Sequence, residues 1–355
     1  MKLTLLHDTA LATGVFGLAL APDGSRSYAA CADGRIVGVD PASGEQAPMA
    51  GRHASYASGC VLLPETRTLV SSGYDGALLW HDVGSGALLR RVSAHRFWSW
   101  DLAVSPDGSR VASCTGQYLA GGWKYEPAAS TEPAVRVFDA ASGTVVAEFD
   151  HQPPVLSCTF SHDGRYLAAA NMLGEVRVWS LGQGGGTEPV GRFTSPDFTS
   201  WGTTKSHHYC GGIYSLAFTP ADEGLLVCGM GPMGDPMAGN GKMTWQRWDW
   251  RKGEKIDQIH DGQHGSGLME TLAWAPDGSH FVMAGRQAQG TWNAALFSAA
   301  DGALVASLDT KQRVTQARFT ADGGRLVLAG ALSQPGPKGG QWPQWGRVQV
   351  YAVEG

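Results

Sequence analysis

The 355-residue chain lacks a long apolar run, a basic cluster and any cysteine pair at a metal- or haem-binding spacing. Each absence removes a class of function. No stretch reaches the length of apolar residues that a membrane-crossing helix needs. The net charge is −5 and no run of Lys and Arg breaks it, so recognition of nucleic acid through its phosphates is disfavoured. Neither CxxC nor CxxCH occurs among the six cysteines. The nucleophile elbow GxSxG is missing, and the Gly-rich run GPMGDPMAGNG fits neither GxxxxGK[ST] nor GxGxxG between a strand and a helix. A leader is a weak reading of Met1–Ala21. The segment ends in GLALA, but His7, Asp8 and Thr9 break its apolar part, so a mature cytoplasmic chain is expected.

What the sequence has in quantity is glycine (49) and tryptophan (13), the composition of many tight turns on a sheet-rich core. Val155–Ser180, VLSCTFSHDGRYLAAANMLGEVRVWS, shows the unit. Three short β-prone runs, Val155–Ser161, Tyr166–Ala170 and Glu175–Trp179, are separated by Asp-Gly or Gly-Glu steps, the signal of an antiparallel meander. A small residue followed by Pro-Asp-Gly recurs at Ala21–Gly24, Ser105–Gly108 and Ala275–Gly278, with weaker forms at Ser161–Gly164, Thr219–Gly224 and Thr320–Gly323. Each turn is followed by a strand, then by one ending in an aromatic, as in Leu78–Trp80, Val135–Asp139 and Val176–Trp179. A fourth strand closes the unit. Seven units begin near Val15, Ala57, Ser99, Val155, Tyr214, Met269 and Thr315, the first two steps being about 42 residues, a propeller-blade period. The last unit stops after its third strand, while Lys2–Thr9 is unmatched at the other end. Pairing the two removes two sheet edges. The expected fold is therefore all-β: one seven-bladed propeller over residues 1–355, its four-stranded antiparallel blades closed by the N-terminal strand. Leu3 and Leu5 are expected to face the core. Cys31, Cys60, Cys114, Cys158 and Cys228 read as small buried hydrophobes.

These features resemble the WD-repeat (Trp-Asp repeat) β-propeller family, on the PDG turns, on Trp248–Asp249, and on Trp80 and Trp179 at equivalent places. The resemblance implies a hydrogen-bonded His, Ser and Asp within a blade. Unit two matches best, with His53, Ser72, Asp75 and Trp80, and His95 and His151 take the corresponding place in units three and four. It implies little about function, because propellers host many.

Function is sought in the insertions. In a four-stranded blade, the turns after the first and third strands lie on one face of the disk. The inner loop and the crossing to the next unit lie on the other. Nearly all the long insertions here are of the second kind: Ser93–Trp100, Gly116–Pro133, Thr194–Gly212, Gly229–Met243, His260–Glu270, Arg286–Asn293 and Leu332–Gly346. One face is thus expected to carry Arg96, Phe97, Trp98, Trp100, Tyr118, Trp123, Trp201, His207, His208, Tyr209, Asp235, His260, His264, Trp292, Trp342 and Trp345. Long aromatic loops on a rigid scaffold are where binding resides. Trp and Arg favour a protein partner at Arg96–Trp100. The same groups suit a small molecule or sugar, and the residues leave both open. His207, His208, His260, His264 and Glu270 are weak metal candidates around unit five, with Cys210, Met230, Met233, Met237 and Asp261 nearby, but no spacing forms a metal motif. No cofactor is expected. Asp101, Glu270 and Arg318 fall on or near the first strands and are expected along a central opening. The expected function is a non-catalytic scaffold. A ligand-binding or hydrolytic propeller with its site near unit five is the alternative.

Overall fold

The computed structural model describes all residues except 117, 122–123, 128–130, 183–184, 201–209, 232–240 and 334–342. The fold is all-β. Among the described residues the one helical turn is the 3₁₀ segment Pro196–Phe198, and no helix is long and apolar enough to cross a membrane.

Among the described residues five sheets have four antiparallel strands each; in four of them the strands follow chain order, and in the fifth the N-terminal strand stands beside the last strand of the chain. In unit four the order is Val155–Phe160, Tyr166–Asn171, Glu175–Ser180 and Gly191–Thr194. Units five and six repeat this pattern, but their sheets merge where Gly241 pairs with Gly267 and Lys242 with Ser266. Their first strands start ahead of the expected points, at Cys210 and Ser266, and that of unit seven starts at Arg313. The insertion in unit three holds a small hairpin of its own, Tyr118–Gly121 against Lys124–Pro127.

Burial falls from the first three strands of a unit to the fourth. The second strand is almost wholly buried, as in Ser27–Cys31 and Leu225–Met230. It is covered on both faces, so small and β-branched residues fill it without alternation. The fourth strands, such as Leu88–Ser93 and Glu254–Gln258, are mostly exposed. Among the described residues seven hydrophobic clusters lie between units, six of them between units adjacent in sequence. The other joins the first unit to the last, with Val15, Leu18 and Ala29 against Val327 and Val348. Phe297, fully buried between units five and six, represents about 1.5–3 kcal/mol of burial. The five expected cysteines are all buried and free.

Turn chemistry follows the sequence closely. In SPDG, Asp107 accepts the Ser105 hydroxyl at 2.6 Å and the Ser109 amide at 3.0 Å, while Gly108 takes φ +69°. Those bonds lower the Asp107 carboxyl to about 2. Unit five lacks a glycine at this step, and Asp222 adopts φ +57° in its place. Its carboxylate reaches the neighbouring unit, accepting from the amides of His162 and Asp163 at 2.9 and 3.0 Å.

The N-terminal strand Lys2–Leu11 pairs antiparallel with Gly346–Glu354, from Lys2 opposite Glu354 to Leu11 opposite Gly346. One expectation about it needs correction. Leu3 is half-buried, but Leu5 is 48% exposed. A register shift between Leu5 and His7 changes which residues face inward, so Thr9 and Leu11 are the buried ones.

Candidate interaction surface

All seven first strands share one irregularity. Their register shifts after Val15, Ala57, Ser99, Val155, Ile213, Met269 and Val314, leaving one extra residue each time. A bulge re-aims the extra side chain. The extra residues include Phe16, Trp100, Tyr214 and Glu270. The residue after the bulge turns to the next unit. Asp101 accepts the Cys158 amide at 3.1 Å, Ser215 that of Leu272 at 3.0 Å, and Thr271 that of Ala317 at 3.1 Å. Side chain–backbone bonds thus clamp neighbouring sheets.

Two of the re-aimed residues belong to a continuous row of rings. Phe16 stacks on Tyr56 at 5.6 Å, Tyr56 meets Tyr74 at 5.7 Å, and Tyr74 stacks on Trp98 at 4.5 Å. Phe97 covers Trp98 at 4.9 Å, and Trp100 packs edge-on to both Tyr74 and Trp98. The row runs from unit one to unit three. It forms because crossings and inner turns meet. The Tyr74 amide donates to the Tyr56 carbonyl, and the amides of Ala94 and His95 donate to Gly76. Trp98 and Trp100 are pinned to the second strand of unit three and the residue that follows it: Thr115 donates to the Trp98 carbonyl and the Trp100 indole to Gly116, both at 2.8 Å. Tyr56 is 48% exposed, and Phe16, Tyr74, Phe97, Trp98 and Trp100 are half-buried. The row is thus a contiguous aromatic patch, half-open to solvent and rigidly held, of the residue types enriched at protein interfaces.

Glu270 pairs with Arg313 from unit seven through two bonds of 2.6 and 2.8 Å. Burial works against the Arg313 charge, but Glu270 outweighs it and raises its pKa, with Tyr214 and Tyr74 contributing. Glu270 is thereby engaged in an ion pair rather than offered to a metal. Asp101, Glu270 and Arg318 do line an opening among the first strands, a cavity of about 390 Å³. Burial raises the Asp101 carboxyl to about 6.

The remaining sequence candidates separate. Arg96 is exposed, its amide donating to Glu132 at 2.9 Å. Trp345 is half-buried and covers Gly14. Trp292 is a correction: at 5% exposure it belongs to the core beside Phe297, because its loop folds inward over unit six. His260 is exposed, and His264 is largely covered, with Asp261 at 3.8 Å. Tyr118 lies in the small hairpin. Trp123, Trp201, His207, His208, Tyr209, Asp235 and Trp342 lie outside the described residues. Among the described residues no three His, Cys, Asp or Glu side chains stand together as a metal site would require. Phe16, Tyr56, Tyr74 and Arg313 escaped the sequence reading because they sit in short strands and turns rather than in insertions.

The hydrogen-bonded network of unit two uses a different serine from the expected one. His53 meets Asp75 at 2.9 Å and Ser71, not Ser72, at 3.0 Å. Ser72 faces the opposite side and meets Ser58. Trp80 stands outside the network, its indole donating to Ala140 of unit three at 2.8 Å. His95 repeats the serine contact with Ser113, but both ring nitrogens of His151 have no partner among the described residues.

Comparison with known proteins agrees with this architecture. The pattern described as WD domain, G-beta repeat matches residues 143–180, which span the last strand of unit three and three strands of unit four. Autophagy-related protein 16 of Arabidopsis thaliana is 26% identical over 145 residues, covering 32% of this chain. The match spans 28% of that relative's length.

Proposed function

Because the chain belongs to the WD-repeat family, we propose that it is a non-catalytic scaffold that docks a protein partner on the aromatic row from Phe16 to Trp100. WD repeats generally serve protein interaction. On this reading the seven units are the seven blades of one ring formed by residues 1–355. The N-terminal strand completes the last blade and closes the ring. The seven inter-unit clusters and the pairing of Lys2–Leu11 with Gly346–Glu354 support that closure.

The observation that carries the docking proposal is the half-exposed stack of Tyr74 on Trp98 beside Tyr56. Rings held in place before contact lose little entropy on docking. Aromatics of this kind form the energetic centres of protein interfaces. The negative charge and lack of basic runs argue for a protein rather than a nucleic acid, and the proposed setting is the cytoplasm.

The test is affinity capture from the native cell with the full chain, a Tyr74→Ala/Trp98→Ala variant and a rim control, Leu89→Ala. We expect a partner held by the wild type and the control and lost with the double variant. Equal retention by all three would place docking elsewhere.

A further inference from the structure

We propose that the cleft between units one, six and seven binds a short neutral saccharide, at a site that shares Phe16 and Tyr56 with the end of the protein-docking row and extends from them to Trp345. The cleft has a volume of about 700 Å³, within the range of small-ligand sites and enough for a di- or trisaccharide. Ring faces stand along its walls. Phe16 and the half-exposed Tyr56 form one side, and Trp345, held over Gly14, contributes from unit seven. Aromatic faces take the C–H face of a pyranose, while their polar neighbours take its hydroxyls.

The polar side is built in advance. Asn293 is buried, and its amide donates to Gly285, Thr310 and the Gln312 carbonyl at 3.0, 2.9 and 2.6 Å. It also accepts the Thr310 amide at 2.8 Å. This network fixes the turn that carries Lys311 in the left-handed region, at φ +60°. Strain of this kind persists where the surroundings over-determine a conformation, which is common at ligand sites. Of the cations that line the cleft, Lys311 pairs with Asp309 and Arg313 with Glu270, and Arg286 stands exposed at its edge. A neutral ligand therefore fits better than an ionic one. Gln312, 6% exposed, donates to Gln349 at 2.9 Å, but its own Oε1 has no partner among the described residues. A sugar hydroxyl, or the water it carries, supplies the missing donor.

The probes are maltotriose, cellotriose and chitotriose, titrated into the full chain by calorimetry and followed by saturation-transfer NMR. One of them is expected to bind with a dissociation constant below about 1 mM. Affinity should change little between low and high salt, since no net charge is recruited. Trp345→Ala and Tyr56→Ala should each weaken binding by about tenfold, the scale of one aromatic contact. Trp98→Ala, which damages the docking row, should leave it unchanged, so the two proposals fail separately. Thermal melting of each variant shows whether the fold is retained, and Trp345→Phe, which keeps a ring, should restore part of the affinity. The proposal is overturned if no probe binds at roughly 10 mM, if Trp345→Ala binds as the wild type does, or if a glucuronate-bearing trisaccharide binds better and in a salt-dependent way.

Discussion

Trp98 lies on Tyr74 with ring centroids 4.5 Å apart and planes 5° from parallel. The two residues come from different connections of adjoining units, an inner turn and a crossing. The stack therefore both fastens the crossing and displays a flat apolar face. A pair of this kind contributes about 0.5–1.5 kcal/mol beyond area burial. Tyr74→Ala and Trp98→Ala should each lower stability by about 1–2 kcal/mol, and a double-mutant cycle by urea denaturation should show coupling near 1 kcal/mol. The loss of partner binding should be far larger than this. Additive single effects would mean that the rings do not support each other.

Asp75 is the strongest acid of the unit-two network. Burial would raise its pKa. The bonds from His53, the Ala54 amide and Arg91 overcome that and hold it well below the usual carboxylate range. A depressed carboxyl stabilises the fold above its unfolded pKa, and the contribution is lost as pH falls below about 4. Asp75→Ala should cost about 2–4 kcal/mol at pH 7, because the His53 nitrogen and the Ala54 amide are left unpartnered. In the acid limb the variant and wild type should converge. His151 offers the contrast: burial holds its imidazole neutral, lowering its pKa to about 3, and neither ring nitrogen has a hydrogen-bond partner among the described residues. His151→Leu should change stability at pH 7 by less than about 1 kcal/mol. A large loss there would reveal a hidden partner.

Asp101 behaves in the opposite sense. Its folded pKa of about 6 exceeds the ordinary 3.8, chiefly through burial beside the channel. Folding therefore takes up a proton between those values. The Asp101 contribution to stability falls as pH rises from about 4 to about 6 and stays lower above that. The span corresponds to at most about 3 kcal/mol, less where channel water screens the group. Asp101→Asn removes the titration. Melting curves of wild type and variant between pH 4 and 8 should differ by a pH-dependent amount that levels off above pH 6.5. A constant offset would mean that Asp101 titrates normally and acts only as the clamp on Cys158.

How far these features were legible depends on what encodes them. Strands and turns are local, and residues such as Asp107 and Gly108 write their turn chemistry into four positions. Unit four was placed to within a residue or so at each strand end for that reason. Bulges are not written locally. Nothing in LLHD marks the slip that exposes Leu5, and nothing in the run SSG selects Ser71 over Ser72 as the partner of His53. Phe16 looked like an ordinary strand residue until the shift after Val15 turned it toward Tyr56. Long insertions drew attention to Trp292, yet an inserted tryptophan can fold back to the core as readily as outward. The aromatic row emerges only when three units stand side by side.

The N-terminal strand offers the most direct test of how the chain holds its two ends together. Leu11, at 1% exposure, is packed with Val15, Val327 and Val348 in the cluster that joins the first and last units. Leu5, six residues earlier on the same strand, is nearly half exposed. Both are leucines paired to the same partner strand, so backbone pairing alone would make them equivalent. Burial makes them different. Leu11→Ala should cost about 2–4 kcal/mol, through lost transfer energy and the cavity left between two units. Leu5→Ala should cost less than about 0.5 kcal/mol. Removing residues 2–11 altogether exposes the edge of Gly346–Glu354 and should add concentration-dependent association to the loss of stability, since an uncovered strand edge recruits another chain. Urea denaturation of the two point variants, with light scattering of the truncated chain, checks all three. Equal costs for Leu5 and Leu11 would show that this strand is held by its pairing alone, and a monomeric, stable truncated chain would show that the last sheet does not depend on it.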